Sequence, residues 1–127
     1  MVNHLASALL IAWIKSCALV YSVDPSFAQA VAIVESRAPG GGELEMRVGR
    51  LGRSKYWGPF GIHRDFLKKW PIDDPFVNIE VGVKALRGSN KRKVLKRYNA
   101  SFDEDYYREV RRIERKLKEG SRCHGGG

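Results

Sequence analysis

The chain is short of the residues that anchor metals and covalent frameworks. Its three histidines, His4, His63 and His124, are scattered, and its two cysteines, Cys17 and Cys123, lie near opposite ends. No Cys/His spacing fits a zinc site, and two cysteines do not make a disulfide framework, nor does anything require them to pair. Neither a metal nor a cofactor is expected. Gly40-Gly41-Gly42 lacks the lysine and following helix of a phosphate-cradling loop, and no nucleophile-elbow motif supports a Ser-His-Asp site. Strong strand series and internal repeats are missing as well. So are long apolar runs. Leu5 to Ile14 matches a signal-peptide core in length, yet no Lys or Arg precedes it, and Lys15 ends it short of a membrane span.

What is present fits one mainly α-helical domain. With 127 residues, 43% hydrophobic and 29% charged, the chain can bury a single core. A net charge of +9 points to an anionic partner: nucleic acid, a membrane surface or an anionic polymer such as cell wall. Residues 1–22 read as an N-terminal helix, or as an uncleaved or partial signal segment. A first core helix from about Leu5 to Tyr21 is favoured, because the next helix needs a partner to pack against. Further helices are predicted at Arg64 to Trp70, Pro75 to about Leu86 and Lys91 to Tyr98. The last runs from about Asp105 to Lys118, with Tyr106, Val110, Ile113 and Leu117 as its apolar stripe. Gly82 permits close packing on the face of Ile79, Val83 and Leu86. A small β-hairpin or ordered loop is expected at about residues 43–58, and Gly120 should open a disordered tail over 119–127.

The stretch Asp24-Pro25-Ser26-Phe27 to Glu35-Ser36 is the most informative. Asp24 suits a helix N-cap and Pro25 the first helical position. Phe27, Ala30, Val31 and Val34 make a core-facing stripe, and Glu35 sits at its edge in the last turn. The backbone dipole is negative there, and the setting is apolar, so this acid should resist ionisation. A carboxyl kept protonated is what glycoside cleavage requires of its proton donor. Tyr56, Trp57, Phe60 and Tyr98 are available to stack on sugars.

These residues also carry a resemblance. Val23-Asp24-Pro25, Ala30 to Ile33 and Glu35-Ser36 resemble the opening motif of the soluble lytic transglycosylases, lysozyme-like enzymes that cleave peptidoglycan. Ser54 and Gly58-Pro59-Phe60-Gly61-Ile62 resemble that family's serine and its Gly-Ala-x-Gly-Leu-Met-Gln segment. Asn78-Ile79 with Gly82 resembles its Asn-Ile-x-x-Gly helix, and Tyr98-Asn99-Ala100 its Ala-Tyr-Asn-Ala-Gly motif. The likeness spans about residues 11 to 115, and the domain it implies is a lysozyme-like one over 11–118.

The resemblance implies that Glu35 is the single catalytic acid, protonating the oxygen between N-acetylmuramic acid and N-acetylglucosamine. Glu35 would then act as base on the muramoyl C6 hydroxyl, leaving a 1,6-anhydro product. Ser36 and Tyr98 would support it, Phe60, Gly61 and Ile62 would line the cleft, and Asn99 would help hold it. Ser54 and Asn78 match family positions. His63-Arg64 stands where the family has Met-Gln, of which the Gln commonly contacts substrate. Peptidoglycan glycan strands are the implied partner, and the cell envelope, periplasmic or secreted, the implied location; the oligomeric state is left open, with a monomer favoured. Alternatives on the same fold are a hydrolytic muramidase or an inactive glycan-binding module. A separate alternative is a nucleic-acid-binding domain tracking phosphates with Lys84, Arg87, Lys91, Arg92, Lys93, Lys96 and Arg97.

Overall fold

The computed structural model describes residues 3–37, 42–46, 56–63 and 74–125. The fold is mainly α-helical. Its elements are α1 (Asn3–Val20), α2 (Pro25–Ser36), β1 (Tyr56–Trp57), β2 (Ile62–His63), α3 (Pro75–Ala85), α4 (Lys91–Tyr98) and α5 (Glu104–Gly125). Local chemistry sets most boundaries. Asp24 accepts hydrogen bonds from the N–H groups of Ser26 (3.0 Å) and Phe27 (3.5 Å). Asp74 does the same for Phe76 and Val77 ahead of α3, and Asn90 for Lys93 ahead of α4. Each cap satisfies donors that a helix start leaves free. At the end of α1, Ser22 adopts φ +57° while Val23 N–H reaches back to the Ala18 carbonyl, a C-terminal cap that turns the chain straight into Asp24.

α2 is the centre of the packing. It contacts both α1 and α5, and α1 also packs on α3. The sequence suggests a one-sided apolar stripe. In the fold, Phe27 to Ile33 are buried without interruption. A helix flanked by two others has no solvent face, which explains its small side chains at Ala28, Ala30 and Ala32. Leu10, Ile14, Val83, Leu95, Val110 and Ile113 complete the core from the surrounding helices.

Two expectations change. The β pairing is antiparallel, matches Tyr56 with His63 and Trp57 with Ile62, and runs on to residue 63, past the expected 43–58 stretch, of which 47–55 lie outside the described residues. Within 42–46 the chain makes a turn, with Glu45 Oε2 accepting from Gly42 N–H. The last helix continues past Lys118 to Gly125 in place of a disordered tail from 119. A lone glycine costs a helix interior about 1 kcal/mol, too little for Gly120 to stop one already under way. The helix expected at 64–70 lies outside the described residues.

An ionic cluster ties the start of α2 to α4 and α5. Lys91 Nζ lies 3.0 Å from Asp24 Oδ2 and 2.7 Å from Glu114 Oε2. Lys118 Nζ lies 2.8 Å from each of the same two oxygens. The Glu114 side chain is only 2% exposed, so its charge depends on these partners. Although burial opposes it, the two ammonium groups hold Asp24 down to about 2 and, with Arg111 at 3.2 Å from Glu114 Oε1, keep Glu114 below the usual carboxylate range. Acids depressed in the folded state stabilise it above their unfolded pKa, near 4, and lose that contribution as pH falls toward the folded value. The melting temperature should therefore drop as pH is lowered from about 4 toward 2. Glu114→Gln should cost roughly 2–3 kcal/mol at neutral pH and flatten that acid-side decline, as followed by thermal melts across pH.

Candidate active site around Glu35

The site begins with a turn whose position is fixed by Phe60. Phe60 turns its ring into the core rather than toward a cleft, and it is fully buried. It rests on Gly82 of α3, where an added Cβ would come within 2.3 Å of the ring. Its N–H donates to Asn78 Oδ1 (3.2 Å), and its carbonyl accepts from the Tyr98 hydroxyl (2.5 Å). One residue is thus held three ways, by α3 twice and by α4 once. Gly61 follows at φ +55°, a conformation that L side chains rarely adopt.

This turn delivers Gly61 to Glu35. A Cβ on Gly61 would lie 3.4 Å from Glu35 Oε1 and 3.5 Å from its Cβ, so backbone abuts the carboxyl with no side chain between. Glu35 is half-buried in the last turn of α2. Its Oε2 accepts a short 2.5 Å hydrogen bond from the Tyr106 hydroxyl at the start of α5. Asn99 lies near the Tyr106 phenol, where it favours the ionised form, while its Oδ1 accepts from Ser101 N–H (2.9 Å). Asn99, Tyr106 and Glu35 thus follow one another from the α4–α5 junction to the carboxyl.

The electrostatics follow from this packing. Burial pushes the Glu35 carboxyl above its ordinary value, and the Tyr106 hydrogen bond pulls partly against that. Tyr106 is itself driven far up by burial and by the adjacent carboxylate, so it stays a phenol and a donor. Burial and the nearby Glu35 likewise keep Tyr98 protonated. Glu35 is thus a carboxyl biased toward its protonated form, held by the neutral Tyr106 phenol, with a second neutral phenol, Tyr98, nearby on the Phe60 carbonyl. Among the described residues no three His, Cys, Asp or Glu side chains converge as a metal site.

Several sequence-derived candidates meet here in different capacities. Glu35 and Gly61 are at the carboxyl, and Asn99 lies near the Tyr106 phenol that holds it. Phe60, Asn78 and Tyr98 hold the turn, and Asn78 is buried at 2% exposure. Ser36 is buried at the last position of α2, and Ile62 is half-buried in β2. His63 belongs to β2, opposite Tyr56. Ser54 and Arg64 lie outside the described residues. Sequence reasoning assigns Tyr106 to the core stripe of the last helix and so misses its contact with the acid. The available signal is chemical: a tyrosine placed in an apolar stripe must find a partner for its hydroxyl.

No protein-family model, curated protein or solved structure matches the chain.

Two substitutions probe this assembly. Gly82→Ala should destabilise by roughly 2 kcal/mol or more, because overpacking against Phe60 outweighs the helix-propensity gain of alanine. Chemical denaturation measures it. Tyr106→Phe removes the bond that favours the charged carboxylate, so the Glu35 pKa should rise further. Carbon-detected NMR titration of the Glu35 carboxyl, before and after substitution, gives the direction.

Proposed function

We propose that this chain is a lysozyme-like peptidoglycan lytic transglycosylase of the cell envelope, periplasmic or secreted, with Glu35 as its acid and base. The observation that carries the reading is the Glu35 carboxyl itself. It is half-buried, biased toward protonation, aligned by Tyr106 and faced by bare backbone at Gly61. A general acid needs that bias near neutral pH. The proton on Glu35 passes to the glycosidic oxygen as the bond to the muramoyl C1 breaks. The resulting carboxylate then takes the proton of the muramoyl C6 hydroxyl, whose oxygen closes on C1. The product is a 1,6-anhydro ring, no water is consumed, and Glu35 ends protonated again. One carboxyl suffices for both halves, and Tyr106 can hold it in place for each.

The distribution of cations weighs against a phosphate-tracking stripe as the main activity. Lys91 is bound to Asp24 and Glu114. Arg92 pairs with Glu104 and lies 4.2 Å over the Tyr107 ring. The middle of the stripe is thereby neutralised within the chain.

Digestion of purified sacculi, with mass spectrometry of the released muropeptides, tests the proposal. Anhydro-muropeptides are expected, and Glu35→Gln should reduce their release by at least about 10²-fold. The same variant should melt at the wild-type temperature or slightly above it, since it removes a charge that burial disfavours. Reducing-end products would indicate a hydrolytic muramidase instead. Sacculus binding without release would indicate a glycan-binding module.

A further inference from the structure

The outer side of α1 is largely apolar too, interrupted by exposed Lys15 and Ser16. Leu10, Ile14, Cys17 and Ala18 face the core, yet Leu9, Trp13, Leu19 and Val20 are exposed at 55%, 39%, 72% and 76%. α1 contains no acidic residue. Its neighbour α3 extends this surface. Trp13 meets Phe76 edge-on at 5.5 Å near the start of α3, and Tyr21 reaches Glu80 and Arg87 toward its end. The two helices therefore run side by side in the same direction, with exposed Phe76 beside Trp13. Helices of soluble domains present one apolar stripe. α1 presents two, and the second has no partner among the described residues.

Cations border this face. Lys15 lies on α1 one turn from Leu19, and Lys84 lies on α3 one turn beyond Glu80; both are exposed. Arg87 and Arg97 gather at the same end, because Arg97 donates to the carbonyls of Ala85 and Arg87. Arg87 itself donates to the Lys84 carbonyl. Those bonds go to neutral oxygens, and neither guanidinium pairs with an acid among the described residues, unlike Lys91 and Arg92. Glu80 is the one acid on α1 and α3, and it accepts from the Tyr21 hydroxyl at 2.9 Å.

We propose that the outer face of α1, together with Phe76 and the basic C-terminal end of α3, docks on an anionic lipid bilayer. Apolar side chains rimmed by Lys and Arg are what an interfacial helix requires. A polyanion matches the cations but offers nothing to Leu9, Leu19 and Val20. A second copy of the chain matches the apolar side chains but sets cation against cation. The Trp13 indole is prepared for lipid contact, because its N–H already donates to the Phe76 carbonyl at 3.1 Å and would not enter unpaired. No helix among the described residues is long and apolar enough to cross a membrane, and the docking proposed is interfacial. The proposal is independent of the reaction assigned to Glu35.

Co-sedimentation of the full chain with vesicles tests it, comparing equal parts phosphatidylglycerol and phosphatidylcholine with phosphatidylcholine alone. Binding should need phosphatidylglycerol and weaken as salt is raised. Leu19→Gln combined with Val20→Gln should lower partitioning at least about tenfold, and Lys84→Gln about fivefold. Arg115→Gln, exposed on α5, should change it by less than about twofold if the face rather than the total charge is responsible. Thermal melts of the variants should match the parent, since every altered side chain is exposed. Failure to sediment with phosphatidylglycerol at low salt would overturn the proposal. So would equal binding to phosphatidylcholine alone, or an equal loss in Arg115→Gln. A dimer in sedimentation velocity that Leu19→Gln and Val20→Gln dissolve would assign the face to a second copy instead.

Discussion

The seating of Phe60 on Gly82 is the constraint on which the site depends. A benzyl group cannot approach a helix backbone this closely over any residue with a Cβ. Once seated, Phe60 has its N–H on Asn78 and its carbonyl on Tyr98, so the turn it belongs to cannot slide along α3 or lift from α4. Gly61 is then carried against Glu35, and the carboxyl faces backbone instead of a side chain. Four elements meet at this point: α2 supplies the acid, α3 and α4 fix the turn, and α5 supplies Tyr106. Packing in the core and geometry at the acid are therefore one problem.

The two ends of α2 show how environment alone separates two carboxyls. Asp24, at the N-terminus, receives backbone N–H groups on one oxygen and two lysines on the other. The helix dipole favours its charge as well. Glu35, at the C-terminus, meets a dipole of the wrong sign, a buried setting and a phenol in place of a cation. One acid is held ionised as a structural clamp, and the other is biased toward keeping its proton. Pairs driven apart in this way usually have different tasks.

The surface charge is equally uneven. Much of the basic content of α4 and α5 is turned inward onto the chain's own acids: Arg92 onto Glu104, and Arg112 and Lys116 onto Glu43, while Arg37 after α2 pairs with Glu109 of α5. The pairs on Glu43 hold the 42–46 turn against α5. The cations at the end of α3 that pair with no acid among the described residues lie beside an apolar helix face, and charge and apolarity together favour a different partner from the one charge alone suggests.

Much of the helical framework is legible in the sequence, because caps and periodicity are local. Asp24-Pro25 and Asp74-Pro75 mark helix starts by short-range hydrogen bonding, and Gly82 announces a close approach; the Asn90 cap emerges only in the structure. Glu35 stands out by its place at the apolar end of a helix. The partners of Glu35 do not follow from local pattern. Tyr106 reads as one more member of a stripe, and Tyr98 as a support for the acid when it holds the Phe60 carbonyl. The burial of α2 on both sides, the helix continuing through Gly120 and the position of the β pairing also depend on neighbours far along the chain. The sequence alone determined where helices start and which carboxyl is the candidate. Only the tertiary structure decided what touches that carboxyl, because hydrogen bonds and desolvation depend on distances that periodicity along one helix does not contain.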